Sequence, residues 1–294
     1  MTAKNVTAIA QHISQVTGTP FHVKKTSPLA GGDINQAFLL EDQQQRYFVK
    51  CNHHSLVDMF AAEFSGLQAL AATHTIRVPH PISYGQTDEQ SFLVLEYVSL
   101  HRQTPQSDTL LGQQLAQMHQ QLQSYYGWHI DNTIGSTPQP NPRTSSWIDF
   151  YRDYRLGFQL QLLAKKGYGG KLQTLGEKLC LRLGDFFTDY QPQPALLHGD
   201  LWGGNVASDE LNQPIIFDPA CYFGDREADL AMTELFGGFS QHFQAAYHNV
   251  WPIDVGYKTR KTLYHLYHIL NHANLFGGSY AKQAEQMIAN LLSA

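Results

Sequence analysis

The spacing of apolar residues in the first third of the chain predicts a short helix, several strands and a longer helix. Val6, Ile9 and Ile13 recur at the spacing of one helix face. The predicted elements are a helix at 4–16, strands at 21–23, 37–40 and 46–50, a helix at 56–72 and a buried strand at 91–98. This part of the chain is therefore predicted to be rich in β-structure.

After residue 98 the pattern becomes mostly helical. The stretch 99–108 is polar and contains a proline, which indicates a connection between two lobes. Helices are predicted at 110–122, 147–165 and 171–187, a long surface loop at 131–146, and two short strands followed by helices to the end. The pattern predicts an α+β chain with a small β-rich lobe at 1–98 and a larger, mainly helical lobe at 109–294.

The composition excludes several classes of protein. In 294 residues, of which 43% are hydrophobic, no apolar run approaches the length of about 18 that a membrane span needs. Three widely spaced cysteines and the absence of a secretory signal favour a reducing cytoplasm. A net charge of −5 with only 20 Lys and Arg argues against an extended nucleic-acid surface. A monomer is the default expectation.

Two polar motifs near the middle of the predicted helical lobe carry the strongest chemical signal. Asp200 and Asn205 lie in the segment 197–205, and Asp218 follows 13 residues after Asn205. In kinase-like phosphotransferases this spacing provides one Asp that receives the proton of an attacking hydroxyl, while Asn and a second Asp hold magnesium on ATP. Each motif alone could be a polar turn or a strand end, but the joint spacing predicts phosphoryl transfer.

The β-rich lobe contains candidates for the remaining parts of such a site. Gly31 and Gly32, followed by Asn35, lie in a predicted turn between strands, where backbone N–H groups could approach a phosphate. Lys50 ends the next strand, and Glu63 on the following helix is placed to pair with it. The alternatives are an ordinary hairpin, a solvated lysine and a solvated glutamate.

Aromatic and histidine side chains suggest where an acceptor could bind. Trp202 lies two residues beyond Asp200, and sugars stack their C–H faces on such rings, although a core Trp bracing the loop is the alternative. His265, His268 and His272 share one face of a predicted helix. With no nearby carboxylate, a wall of the acceptor pocket or a half-buried helix face is favoured over a zinc site.

These motifs resemble those of the aminoglycoside/choline kinase-like superfamily and, more narrowly, of the fructosamine kinase (ketosamine 3-kinase) family. Residues 198–205, His-Gly-Asp-Leu-Trp-Gly-Gly-Asn, match the signature HGDLW-x-GN of that family. Segments 217–222, 224–232 and 266–278 are also similar to it. The likeness runs from about Leu29 to Tyr280 and so covers nearly the whole chain.

The resemblance implies a protein kinase-like two-lobed fold and ATP-dependent phosphorylation of the sugar 3-hydroxyl of ketosamines. The acceptor would be a small ketosamine, such as a fructosamine or ribulosamine, or a glycated protein lysine, so that the activity serves protein deglycation. The implied roles are Asp200 as base, Asn205 and Asp218 as Mg²⁺ ligands, Lys50 as phosphate contact with Glu63 as its partner, and Glu96 and Tyr97 as backbone contacts to adenine. Trp202, His268 and His272 are expected at the acceptor from their own positions in the sequence.

One position departs from the family pattern. Some relatives carry Cys in the Gly-rich turn where this chain has Asp33, so a redox-sensitive thiol cannot be carried over. Because a carboxylate would repel the ATP phosphates, Asp33 is expected to point away from them.

Two other functions compete with this interpretation. One is the same chemistry on another small alcohol or amino sugar, such as an aminoglycoside or choline. The other is a pseudokinase that binds nucleotide without transferring its phosphate, although every polar group that the chemistry needs is present in the sequence.

Overall fold

The computed structural model describes residues 1–30 and 34–293. Gly31, Gly32 and Asp33, where the phosphate-binding turn is predicted, lie outside the described residues. Within the described residues the chain forms one antiparallel sheet with two flanking helices, followed by a larger region of helices and short hairpins.

The sheet has five strands in the order β1-β2-β3-β5-β4. Its strands are β1 (Lys25–Leu29), β2 (Gln36–Glu41), β3 (Arg46–His53), β4 (Pro81–Gln86) and β5 (Gln90–Glu96), and its helices are α1 (Ala3–Thr17) and α2 (Val57–Ala72). All neighbouring strands pair antiparallel, and Lys50 in the central strand β3 lies opposite Ala37 on one side and Leu93 on the other. The predicted helices at 4–16 and 56–72 are confirmed, with ends that differ by one residue.

The two faces of the sheet are buried by different partners. Successive side chains of a strand point to opposite faces, and in β5 Phe92 and Val94 pack in one cluster with α1, while Leu93 and Leu95 pack in another. The second cluster contains α2 and continues without a break into the core of the helical region. This shared core holds α2, and with it Glu63, against the helical region.

The helical region contains eight helices and six short strands among the described residues. The helices are α3 (Pro105–His119), α4 (Trp147–Tyr151), α5 (Gly157–Lys165), α6 (Lys171–Leu181), α7 (Arg226–Leu235), α8 (Gln241–Val250), α9 (Tyr257–Phe276) and α10 (Ser279–Ser293), and the strands are β6 (Asn132–Ile134), β7 (Thr137–Gln139), β8 (Ala195–Leu197), β9 (Val206–Ser208), β10 (Pro214–Ile216) and β11 (Tyr222–Gly224). The strands pair as three separate antiparallel hairpins or ribbons, β6-β7, β8-β11 and β9-β10.

The strand predicted at 21–23 is wrong, because β1 begins at Lys25, and three predicted helices have different bounds in the structure. Helix α3 begins at Pro105, inside the predicted connection, because Thr104 and Ser107 form a reciprocal capping box there. The predicted helix at 147–165 is interrupted by a π-helical turn at Arg152–Leu156, and the one at 171–187 ends in a 3₁₀ turn at Leu183–Phe187. Neither irregularity has a signature in the spacing of apolar residues.

The predicted surface loop at 131–146 is wrong in part. It contains the β6-β7 hairpin, and Thr137, Gln139 and Asn141 are buried in it. Strands of three residues are too short to show alternation, and buried amides look like loop residues in a sequence. Their burial depends on hydrogen-bond partners that lie far away along the chain.

Two backbone links join the sheet to the helical region close to the predicted connection. His101 and Ser208 exchange both of their backbone hydrogen bonds, at 2.8 and 3.0 Å, and the Ile216 N–H donates to the Arg77 carbonyl at 3.1 Å. The division into lobes at 99–108 stays a prediction. None of the helices in the described residues has the length and apolar character needed to cross a membrane.

Candidate active site

A cleft of about 560 Å³ lies between the sheet and the helical region. Its walls include the described residues of the predicted nucleotide, metal and base set: Asn35, Lys50, Glu63, Glu96, Asp200, Asn205 and Asp218, together with Trp202. Tyr97 is the exception. Lys50 and Asp218, 168 positions apart in the sequence, are thus brought into one cavity.

Asp200 is placed by a sharp turn after strand β8. Gly199 has a φ of +83°, and a Cβ at this position would lie 2.1 Å from the Ala220 carbonyl oxygen. A side chain at position 199 is therefore excluded both by the backbone conformation and by the neighbouring chain. This explains the glycine between His198 and Asp200 in the motif.

A buried carboxylate binds the backbone of the same turn. Asp229 on α7 accepts hydrogen bonds from the backbone N–H groups of His198 at 2.7 Å and Gly199 at 2.8 Å. His119 Nε2, at the end of α3, lies 3.2 Å from Asp229, and His119 Nδ1 lies 2.8 Å from the Tyr247 hydroxyl. Three helices thus converge on the two peptide groups that precede Asp200.

The sequence points to only part of this support. The segment 224–232, which contains Asp229, resembles the family, but His119 receives no role from the sequence. His119 follows Leu115 by four positions and so lies on the apolar face of α3. A polar side chain on an otherwise apolar helix face is the sequence signal that could have indicated a buried role for His119.

The Asp200 carboxylate lies in a largely enclosed environment at the cleft. Burial raises the pKa of Asp200 to about 7, while a hydrogen bond from Asn205 opposes this shift and the charge of Asp218 adds to it. Asn205 Nδ2 donates to the Asp200 backbone carbonyl at 2.8 Å and to its carboxylate at 3.1 Å. Such a pKa places the carboxylate where a base must be to work near neutral pH.

The raised pKa makes a prediction about stability. Because the folded protein retains the Asp200 proton up to about pH 7, the unfolded chain binds fewer protons between about pH 4 and 7, and stability falls as pH rises through this window. Asp200→Asn carries no charge, so it should be more stable than the wild type by up to about 4 kcal/mol at pH 8 and equally stable at pH 4.

This stability difference can be measured by urea unfolding of both proteins at several pH values in the presence of a chelator. A constant difference between pH 4 and 8 would show that the pKa of Asp200 is not raised in the folded protein.

Lys50 is a buried cation between two carboxylates. Its ammonium lies 2.6 Å from Glu63 Oε1 and 2.5 Å from Asp218 Oδ1. Burial alone would lower the pKa of Lys50, but the charges of Asp218 and Glu63 outweigh it and raise the pKa above its ordinary value. Lys50 therefore stays protonated. The predicted pairing with Glu63 is present, while the contact with Asp218 was not foreseen.

Asp218 and Asn205 provide two oxygen atoms that suit a magnesium ion. Asp218 has a φ of +58°, a conformation that is uncommon outside glycine and concentrates at functional sites. Its Oδ1 is bound by Lys50, whereas its Oδ2 and the Asn205 side-chain oxygen form no hydrogen bond within the described part of the chain. Both residues line the cleft. Hard oxygen ligands of this kind fit Mg²⁺.

The protein alone offers few metal ligands. In residues 1–30 and 34–293 no group of three or more His, Cys, Asp or Glu side chains is arranged to hold a metal ion. Mg²⁺ often keeps several waters and binds one or two protein ligands plus substrate phosphates, so two protein oxygens are enough. The same finding argues against a zinc site on the histidine face of α9.

Trp202 lies at the cleft with 39% of its surface exposed. A Cβ at Gly204 would lie 2.2 Å from the indole ring, so only glycine leaves room for this ring position. The described protein thus holds an aromatic face beside Asp200 and leaves a large part of it uncovered.

Comparison with known proteins identifies the family. Residues 5–294 match the sequence profile of the fructosamine kinase family. The chain is 51% identical over 286 residues to a protein of Synechocystis sp. described as a probable ketoamine kinase, covering 97% of this chain and 96% of that one. The chain belongs to the fructosamine kinase family.

Solved structures support this family and its fold. A crystal structure described as a candidate fructosamine-3-kinase from Haemophilus somnus is 33% identical, covers 97% of this chain and 96% of that one, and superposes with a TM-score of 0.88. The ADP-bound aminoglycoside phosphotransferase APH(2'')-Ib shares the fold at 15% identity, with a TM-score of 0.66 over 99% of both chains. The predicted kinase-like α+β fold is confirmed.

In this fructosamine kinase family member, the side chains of Glu96 and Tyr97 are engaged within the protein. The Glu96 carboxylate binds Arg77 at 2.9 Å and the His80 N–H at 3.1 Å, and the Tyr97 ring stacks with Arg46. A backbone contact of Glu96 and Tyr97 to adenine stays a prediction.

The two histidines assigned to the acceptor lie outside the cleft wall. His268 is buried, and burial lowers its pKa to about 3, so it is neutral. His272 packs between the rings of Phe236, Phe276 and Tyr280. The half-buried helix face, which was the alternative, describes them better, because His272 contacts Phe236, directly after α7, and Tyr280 in α10.

Proposed function

We propose that this protein transfers the γ-phosphoryl group of ATP to the sugar 3-hydroxyl of ketosamines, with magnesium as the metal. The acceptor is a small fructosamine or ribulosamine or the same group on a glycated protein lysine, and the activity serves protein deglycation. The observation that supports this most is the convergence of Asp200, Asn205, Asp218 and Lys50 on one cleft in a member of this family.

Asp200 acts as the base that receives the proton of the acceptor hydroxyl. Its carboxylate has an oxygen that accepts from Asn205, which fixes its orientation toward the cleft. With a pKa of about 7 it is ionised in a large fraction of molecules at neutral pH and remains basic enough to hold a proton.

Lys50 supplies the positive charge for the phosphates. A protonated lysine held by Glu63 cannot swing into solvent, so its charge stays at the cleft wall. Asn205 and Asp218 would hold Mg²⁺, which neutralises phosphate charge and orients the transferred group when bound. Because Asp218 contacts Lys50 as well, the cation and the metal ligand are fixed relative to each other.

Trp202 provides a stacking surface for the sugar of the acceptor. Trp202→Ala should raise the KM for the ketosamine by about 10-fold and leave the KM for ATP nearly unchanged, because an aromatic contact of this kind contributes about 0.5–1.5 kcal/mol beyond area burial. Steady-state kinetics with each substrate varied in turn gives both values.

Trp202→Phe, which keeps an aromatic face, is the matched control. Its KM for the ketosamine should lie between those of the wild type and Trp202→Ala. If the alanine variant kept the wild-type KM for the ketosamine, the ring would have a purely structural role.

A coupled assay of ADP release tests the function itself. The panel contains fructosamine, ribulosamine and erythrulosamine on a free amino acid and on a protein lysine, with an aminoglycoside and choline as competing acceptors. We expect Mg²⁺-dependent turnover with ketosamines only. Binding of Mg-ATP without turnover on any acceptor would favour a pseudokinase. Turnover on choline or the aminoglycoside alone would favour a kinase of another small alcohol or amino sugar.

A further inference from the structure

The β6-β7 hairpin, residues 132–139, lines part of the cleft and has no assigned role. Asn132, Thr133 and Gly135 are wall residues of the same cavity as Asp200 and Trp202. Strand β6 packs beside α2, the helix that carries Glu63, whereas Val98 and Leu100 line the cleft next to the connection between sheet and helices. The hairpin therefore belongs to the α2 side of the cleft.

The hairpin is attached directly to the segment that follows Asp218. Asn132 Nδ2 donates to the Cys221 carbonyl at 2.9 Å, and Gln139 Nε2 donates to the Ala220 carbonyl at 3.3 Å. Gln139 Nε2 also donates to Asn132 Oδ1 at 2.8 Å, so the two strands are joined by their buried amides. These hydrogen bonds fix the position of the hairpin relative to Asp218, the predicted metal ligand.

Helix α9 holds the hairpin from the other side. The Tyr267 hydroxyl donates to Gln139 Oε1 at 2.5 Å, and Asn271 Nδ2 donates to the Ile134 carbonyl at 3.3 Å. At the turn, a Cβ on Gly135 would lie 3.1 Å from Leu275 of the same helix. Buried and fully bonded polar groups of this kind make a rigid support.

Thr133 differs from its neighbours in the hairpin. Because side chains alternate along a strand, Thr133 lies on the face opposite to the buried Ile134. Thr133 is partly exposed at the cleft wall, and its hydroxyl forms no hydrogen bond to any residue that the structure describes. A rigid strand thus holds Thr133, with its uncommitted hydroxyl, at the wall of the cavity.

We propose that the Thr133 hydroxyl, held in place by the rest of the β6-β7 hairpin, hydrogen-bonds a hydroxyl group of the acceptor sugar. This inference rests on the proposed function. A threonine hydroxyl can both donate and accept, which suits a polyol, and it adds no charge to a cleft that already contains Glu63, Asp200 and Asp218. An acceptor without sugar hydroxyls would gain no affinity from the Thr133 hydroxyl.

The test compares Thr133→Val with Thr137→Val. Both substitutions replace a hydroxyl by a methyl group in the same hairpin, but Thr137 is buried and is not a cleft residue. Thr133→Val should lower kcat/KM for the ketosamine about 3- to 10-fold with the KM for ATP unchanged, the range expected for one neutral hydrogen bond. Thr137→Val should leave both KM values unchanged, and Thr133→Ser should restore most of the loss.

Deoxy analogues of the sugar separate a direct contact from a structural effect. For one ketosamine lacking a single non-reacting hydroxyl, wild type and Thr133→Val should have the same kcat/KM. An unchanged kcat/KM for Thr133→Val with the full ketosamine, an increase in the KM for ATP, or an equal loss with every analogue would each overturn the inference. If the wild type used no ketosamine at all, the proposed function itself would fail.

Discussion

Asp200→Asn is expected to lower kcat for ketosamine phosphorylation by roughly 10²- to 10⁴-fold, the contribution typical of a positioned general base. The amide that replaces the carboxylate cannot take up the proton of the acceptor hydroxyl. The substitution keeps the size of the side chain and an oxygen that can accept from Asn205, whose present contact measures 3.1 Å. The loss should therefore appear in kcat, while the site keeps its shape.

Binding of Mg-ATP, measured by calorimetry, separates this effect from a collapse of the site. Neither Lys50 nor Asp218 is altered, so the affinity of Asp200→Asn should remain close to that of the wild type. Asp88→Asn, on the exposed surface beside Lys4, is the matched control and should retain full turnover. Full turnover by Asp200→Asn would show that Asp200 is not the general base.

The free energy of unfolding should fall by about 3–5 kcal/mol in Asp229→Ala, because removing one partner from a buried, charged hydrogen-bond network leaves the others unpaired. Asp229 is 1% exposed and accepts from the His198 and Gly199 N–H groups, with His119 beside it. The alanine variant would leave the turn before Asp200 without its support, so kcat should fall as well.

The pH dependence of this loss has a definite sign. Burial alone would raise the pKa of Asp229, but the contact with His119 and the backbone N–H groups outweigh it and lower the pKa. A lowered pKa stabilises the fold above the unfolded value near 4, and the stabilisation is lost as pH falls below it. The difference between wild type and Asp229→Ala should therefore be largest at neutral pH and shrink in acid.

Urea unfolding at pH 7 and pH 3.5 measures both effects. Asp229→Asn, which keeps one oxygen acceptor, is the matched variant and should lose less stability than the alanine variant. A loss below about 1 kcal/mol in Asp229→Ala at pH 7 would mean that the turn is held by other contacts.

Local spacing was enough to predict much of the candidate site. Lys50 and Glu63 belong to a consecutive strand and helix, and their ion pair follows from that order. Asp200 and Asn205 are five residues apart in one loop, so their contact is local as well. The contact between Lys50 and Asp218, across 168 positions, could be expected only once both were assigned to the same nucleotide site.

The sequence by itself determined which chemical groups are available and in which order they occur, because residue type and short spacing are local properties. Only the tertiary structure decided which polar side chains are buried. It placed His119 and Asp229 beside the turn before Asp200, converted part of a predicted loop into the β6-β7 hairpin at the cleft, and left His268 and His272 outside the cleft wall. Burial of a polar group depends on partners that are distant along the chain, and no local pattern records them.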